Sequence, residues 1–241
     1  MDFSFSEEQN DLQGLVRQIL EAEVTNERLK QTEASEDNFD RELWATFAEA
    51  GILGIAVPET YGGGGLGFLE LAITLEQIGR AVAPIPFYAS AVLGMLPIAQ
   101  FGTDIQKKAL LPGAVLGESI LSAGLFEAGA DQYQPTTSAV LTDKGWELSG
   151  VKDCVPAGML ADRILVPATT KDGQVIIALV EATSPGVTRE RQNTTNGHPE
   201  ARFTLASVEV GEKEIIGTPD SGLDILHWLV ERATAALTAI A

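Results

Sequence analysis

Apolar residues recur at helical spacing through the first half of the chain and in short runs through the second. Ser6-Glu7-Glu8-Gln9 has the spacing of a capping box, and Leu12, Leu15, Val16, Ile19 and Leu20 repeat behind it on one face. The acidic stretch Thr32 to Asp40 reads as a solvated loop. Arg41 to Ala50 reads as a second helix, with Gly51 placed to cap its end. Leu66 to Ala81 is apolar nearly all round, the pattern of a helix buried among others. Val82-Ala83-Pro84-Ile85-Pro86 is an extended turn, and Phe87 to Phe101 a further apolar helix with Pro97 as a kink or break. Thr103 to Gln106 forms a second capping box on a short helix that Pro112 closes.

Near residue 117 the period changes. Ile120 to Leu125, Thr137 to Leu141, Trp146 to Gly150, Arg163 to Ala168, Val175 to Val180 and Ala201 to Val210 read as strands. Asp143-Lys144-Gly145 and Lys171-Asp172-Gly173 mark hairpins among them. Ser221-Gly222 opens a last helix with Leu226, Val230, Ala233 and Leu237 on one face. The expectation is an α+β multidomain chain. Residues 1–117 form an N-terminal all-α domain, 118–217 a central antiparallel β domain of small-barrel or sandwich type, and 218–241 a helix of a C-terminal helical domain. A lone helix cannot bury its apolar stripe without a partner. A fragment, residues beyond 241, or a second subunit would each supply one.

Between the first two apolar blocks stands Gly62 to Gly65. Four consecutive glycines allow positive φ and close backbone approach. A glycine run before a helix can also cradle a phosphate, but no GxGxxG or Walker spacing is present, so tight packing is the reading that stands.

Charge and composition narrow the function. A formal charge of −18 argues against nucleic acid, whose phosphates need Lys and Arg, and means that a CoA site would have to be locally basic. Cys154 is the only cysteine, and the two histidines, His198 and His227, are far apart, so neither a disulfide within the chain nor a zinc site is expected. Pro84, Pro86, Pro97 and several glycines break the longest apolar stretches, so no membrane span is expected. The acidic start, MDFSFSEEQ, lacks the profile of a signal peptide, and a cytoplasmic protein is the default.

The order of residues through Gly51-Ile52-Leu53-Gly54-Ile55, Val57-Pro58-Glu59-Thr60-Tyr61-Gly62-Gly63, and a buried helix closing on Glu76 and Arg80-Ala81 resembles the N-terminal domain of the acyl-CoA dehydrogenases. Gly102 to Ser119, GTDIQKKALLPGAVLGES, extends the resemblance. It implies FAD as cofactor, an acyl-CoA thioester as substrate and a fold that continues into a C-terminal four-helix bundle, of which residues 218–241 would be the first helix. In that family a carboxylate base removes the α-proton, and donors polarise the thioester and hold the flavin.

The family's flavin signature is Leu-Thr-Glu-Pro followed by Ala-Gly-Ser-Asp. Here Leu125, Glu127, Gly129 and Asp131 match it. Phe126 stands at the flavin-binding threonine, Ala130 at the substrate-touching serine, and the proline is lost with a two-residue shortening. The second signature, Trp-Ile-Thr-Asn, falls on Cys154-Val155-Pro156-Ala157. Pro156 replaces the threonine that serves flavin N5, and it has neither hydroxyl nor N–H. By resemblance, Leu125, Glu127 and Val155 are candidates for cofactor binding and Gly129 and Asp131 for substrate binding. Glu231 and Arg232 match the base and its neighbour in some members, and Glu231 follows apolar Leu229-Val230, where burial would raise a carboxylate pKa. A solvated helix glutamate is the plain alternative, as a surface i,i+4 ion pair is for Glu76-Arg80. Trp44, Trp146 and Trp228 read as core residues rather than cofactor lids.

Three readings follow, in order of preference. The first is a subunit with a degenerate flavin site, paired with a competent homologue. Heterotetrameric α2β2 acyl-CoA dehydrogenases of this kind occur in the family in actinobacterial breakdown of sterol side chains, which makes a steroid thioester a candidate substrate. The second is a self-sufficient dehydrogenase with Glu231 as base. The third is an interaction protein that kept the fold and lost the chemistry. A homo- or hetero-oligomer is expected in the first two.

Overall fold

The computed structural model describes residues 4–241; the first three residues of the signal-peptide reading lie outside them. Among the described residues, seven α-helices and an eight-stranded sheet follow the expected order of helices, strands and a final helix. Helices α1 (Glu7–Glu23), α3 (Arg41–Glu49), α4 (Phe68–Ala81) and α6 (Asp104–Val115) form on the patterns that predict them. Both capping boxes close: Gln9 N donates to Ser6 Oγ and Gln106 N to Thr103 Oγ1, while each glutamine's Oε1 accepts from its partner's backbone N–H.

Three local expectations need correction. The acidic stretch does not begin as a loop at Thr32, because α2 (Asn26–Glu33) reaches through it, capped by Thr25. At its far end Asp40 is buried, accepting from Leu43 N at the start of α3 and from the Arg28 guanidinium at 2.5 Å. A short helix polar on all sides has no apolar stripe to betray it. Pro112 does not close α6, which runs on to Val115. The carbonyl that loses its partner belongs to the exposed Lys108, where water can serve it. Pro97 does not break the helix either, but stands where its winding changes. The chain runs as a π-helical segment over Tyr88–Met95 and passes directly into α5 (Leu96–Phe101), with Pro97 next to the changeover.

The glycine run is a packing device. Gly64 N donates to Gly54 O, Gly65 N to Val57 O and Leu66 N to Ile55 O, folding the run back on the turns over 53–57 that precede it. A Cβ on Gly63 would lie 2.1 Å from Val57 O. With these amides turned inward, the run holds no phosphate cradle.

Strands β2 (Ser138–Thr142), β3 (Gly145–Val155), β4 (Arg163–Thr170), β5 (Val175–Glu181) and β7 (Glu200–Val210) lie where alternation places them, and β1 (Leu121–Ala123) is shorter than expected. β6 (Val187–Gln192) and β8 (Ile215–Ile216) are additions. The spatial order is β6-β7-β3-β2-β4-β5-β8, with β1 joining β4. The expected antiparallel sheet is therefore mixed, since β1 and β2 both pair with β4 in parallel. β5 is buried along VIIALV because its two faces serve different cores. Ile176, Ala178 and Val180 join Ile164, Phe203 and Val208 within the sheet, while Val175, Ile177 and Leu179 face the helices. α7 (Gly222–Ile240) lies along α4, at their closest approach over Gly79, where an added Cβ would sit 1.9 Å from Ile240 O. Trp44 and Trp146 belong to cores, and Trp228 packs edge-on against Phe101.

Candidate active site

A cleft of about 180 Å³ opens where the helices, the sheet and α7 meet. Tyr88 and Leu93 of the π-helical segment form one wall, Val230, Ala233, Thr234 and Leu237 of α7 another. Leu125, Phe126, Cys154 and Pro156 close it from the sheet. Periodicity places the α7 residues together, and an antiparallel bridge between Phe126 and Asp153 brings the two sheet loops side by side. Around Pro156 the backbone is unusual. Cys154 and Ala157 take φ of 48° and 52°, left-handed values that cost most residues free energy, beside a register shift between β3 and β7.

The polar groups at this cleft are largely engaged elsewhere. Tyr88 hydroxyl donates to Ala233 O at 3.4 Å and Thr234 hydroxyl to Val230 O. Burial raises the Tyr88 pKa and keeps the phenol protonated. Cys154 N donates to Gln192 Oε1 and Asp153 N to Phe126 O. Desolvation, then Glu200 and Asp153, push the Cys154 thiol upward, so it is not a ready thiolate. Phe126, 53 % exposed, offers only a ring, and Pro156 offers no donor. Phe126 and Pro156 thus present no hydrogen-bond donor to the cleft, whereas Gln132, also in the lining, carries a side-chain amide.

The sequence candidates divide. Leu125 lines the cleft. Val155 is buried on the sheet side, and Glu127 is buried as well, with its acceptors filled. Glu127 takes hydrogen bonds from Thr136 N and hydroxyl, from Thr137 N and hydroxyl, and from Lys152 Nζ at 2.5 Å. Burial by itself would raise its pKa. The bonds from Lys152, Thr136 and Thr137 outweigh burial and bring it down to about 2. Burial in turn lowers Lys152, against the pull of Glu127. Gly129, at φ 82°, and Asp131, which accepts from Tyr133 N, shape an exposed turn and do not line the cleft.

Glu231 is not buried as its neighbours suggest: its side chain is 71 % exposed, 3.7 Å from Arg232. Leu229 and Val230 point inward and Glu231 is one helical step further round. Arg232 lies 3.9 Å over the Trp228 ring and donates to Trp228 O. The Glu76-Arg80 pair does not form among the described residues, whereas His227, on the helix face as expected, stacks on Tyr133 with ring centroids 4.1 Å apart.

Two residues escaped the sequence reading. Lys152 is fully buried beneath the loops and also donates to Pro167 O. Asp153 accepts from Arg202 at 2.6 Å and from Ala128 N, tying the first loop to the second. Alternation along β3 cannot bury both, since neighbours on a strand face opposite ways; both are buried beside the register shift between Lys152 and Val155, which the sequence does not announce.

Residues 6–118 match the family described as Acyl-CoA dehydrogenase, N-terminal domain. Acyl-CoA dehydrogenase FadE27 of Mycobacterium tuberculosis is 34% identical over 99% of this chain and 62% of its own length. The fold superposes on the ChsE4-ChsE5 complex from Mycobacterium tuberculosis with a TM-score of 0.92 at 35% identity, over 100% of this chain and 64% of that one. It superposes on a variant of the Tcur3481-Tcur3483 steroid ACAD with a TM-score of 0.89 at 40% identity, over 97% of this chain and 62% of that one. The chain thus spans somewhat less than two thirds of the length of these relatives. From the glycine fold-back to the cleft between sheet and last helix, it belongs to the acyl-CoA dehydrogenase family of flavoprotein oxidoreductases.

Proposed function

We propose that the chain is a subunit of an FAD-dependent acyl-CoA dehydrogenase whose own flavin site is degenerate, and that it works beside a homologous subunit that supplies a competent one. The observation that carries this is the cleft lining: Phe126 and Pro156 stand where a flavin needs hydrogen-bond donors, and the amides of Asp153 and Cys154 are already bonded. A hydrogen bond to a charge-bearing group contributes about 1.5–3 kcal/mol, so losing two at one cofactor is severe. In this reading Leu125 lines the remnant of the ring's seat, and Glu127 and Val155 brace the loops from below. Gly129 and Asp131 shape the turn on the substrate side. The likeness to the ChsE4-ChsE5 complex supports a hetero-oligomer, and the likeness to the Tcur3481-Tcur3483 steroid ACAD supports a steroid-CoA thioester as substrate.

A self-sufficient enzyme with Glu231 as base, next to Arg232, is the second reading. Glu231 supports it by standing three residues before Thr234, a cleft residue on the same helix.

The deciding experiment is expression of the full chain alone and with a homologous dehydrogenase, followed by flavin absorbance. Colourless protein alone and a yellow complex are expected. Stoichiometric FAD on the chain alone, seated against Phe126 and Pro156, would overturn the proposal.

A further inference from the structure

On the outer side of the helical region, α1, the start of α2 and the end of α4 enclose a second pocket of about 300 Å³. It is at the lower end of the roughly 300–1,000 Å³ typical of ligand sites. Gln77 stands in its wall, only 2 % exposed. Its Oε1 accepts from Arg17 Nε at 3.1 Å, which fixes the amide's orientation, and its Nε2 is buried without a partner. An unmet buried donor costs about 1–3 kcal/mol and calls for an acceptor.

The rest of the lining agrees in sign. Arg17 and Arg80 both contribute to it, and among the described residues neither is paired with a carboxylate. Two uncompensated guanidiniums beside an orphan amide N–H stand out in a chain of net charge −18. Glu21, exposed, is the one carboxylate in the lining, and Leu20, Val24 and Leu29 supply apolar walls. The failure of Arg80 to pair with Glu76 has the same meaning: its charge is left for the pocket.

We infer that Arg17, Gln77 and Arg80 form a binding site for a small oxyanion, a carboxylate or phosphate group that accepts from the Gln77 amide while the two guanidiniums neutralise it. None of these residues lines the cleft, so the site stands or falls apart from the flavin reading.

The test is calorimetric titration of the full chain, with any subunit that co-purifies, using inorganic phosphate in one arm and succinate in the other at matched chloride ionic strength. Saturable binding in at least one arm is expected, and the arm that binds identifies the group. Arg80→Ala, on an exposed side chain, should weaken it roughly tenfold or more. Gln77→Leu removes the orphan donor, so it should keep or raise the unfolding midpoint while losing the titration. No saturation in either arm, or unchanged affinity in both variants, overturns the inference. So does a crystal in phosphate or succinate that shows only water or a partner's acidic side chain against Gln77.

Discussion

Lys152 Nζ lies 2.5 Å from Glu127 Oε1, with both side chains all but sealed from water. Removing one member of such a pair leaves the other charge buried alone, which costs about 3–5 kcal/mol. Lys152→Met should therefore lower stability by that amount in urea unfolding, whereas Lys152→Met with Glu127→Leu should recover much of it. Equal losses in the single and double variants would show that the pair is not coupled.

The same pair sets an acid limit. Glu127 falls from an ordinary 4.5 to about 2 in the folded chain, so the unfolded state binds its proton first. Its contribution, on the order of 3 kcal/mol, is complete above about pH 4.5 and fades as pH drops towards 2. The urea midpoint should fall across that window, and fall less in the Glu127→Leu and Lys152→Met double variant.

Gly79 has no room for a side chain, because Ile240 O occupies the place of a Cβ at 1.9 Å. Gly79→Ala should push α7 off α4 and cost about 1–3 kcal/mol or more, despite alanine's better helix propensity. A melting temperature equal to the parent's would mean that the two helices yield freely.

If the missing donors at Phe126 and Pro156 weaken flavin binding, Phe126→Thr together with Pro156→Thr should raise the fraction of chain that carries FAD when expressed alone. Flavin absorbance relative to protein absorbance measures it. No change would place the defect elsewhere in the lining.

Under the proposed function, Glu231→Gln should leave turnover of the co-expressed complex within about twofold, since its carboxylate faces solvent and the base would come from the partner. Loss of turnover by several orders of magnitude would instead make Glu231 the base.

The sequence was a good guide wherever a cap, a turn or a sustained apolar run marked the element. The two capping boxes, α4 and the strands flanking Asp143-Lys144-Gly145 and Lys171-Asp172-Gly173 are of this kind. β6 was missed because Val187 to Gln192 is mostly polar and half exposed at a sheet edge, with no apolar alternation to detect. The two cleft loops were legible from a familiar order of residues, but their internal wiring was not. A lysine in a polar stretch reads as solvated, and only the pairing of β3 with β2 and β7 carries Lys152 inside to meet Glu127. The burial expected of Glu231 fails for the opposite reason: Leu229 and Val230, its apolar neighbours on the helix, point in other directions.

Tyr133 belongs to the sheet's first loop and His227 to the last helix, yet their rings lie flat on one another. Gln132, next to Tyr133, and Val230, three residues beyond His227, both line the cleft, so the stack is a hasp joining two of its walls. A guest wide enough to part them must move helix and loop in concert, so admission would be governed by a single shared displacement rather than by the pliancy of either wall.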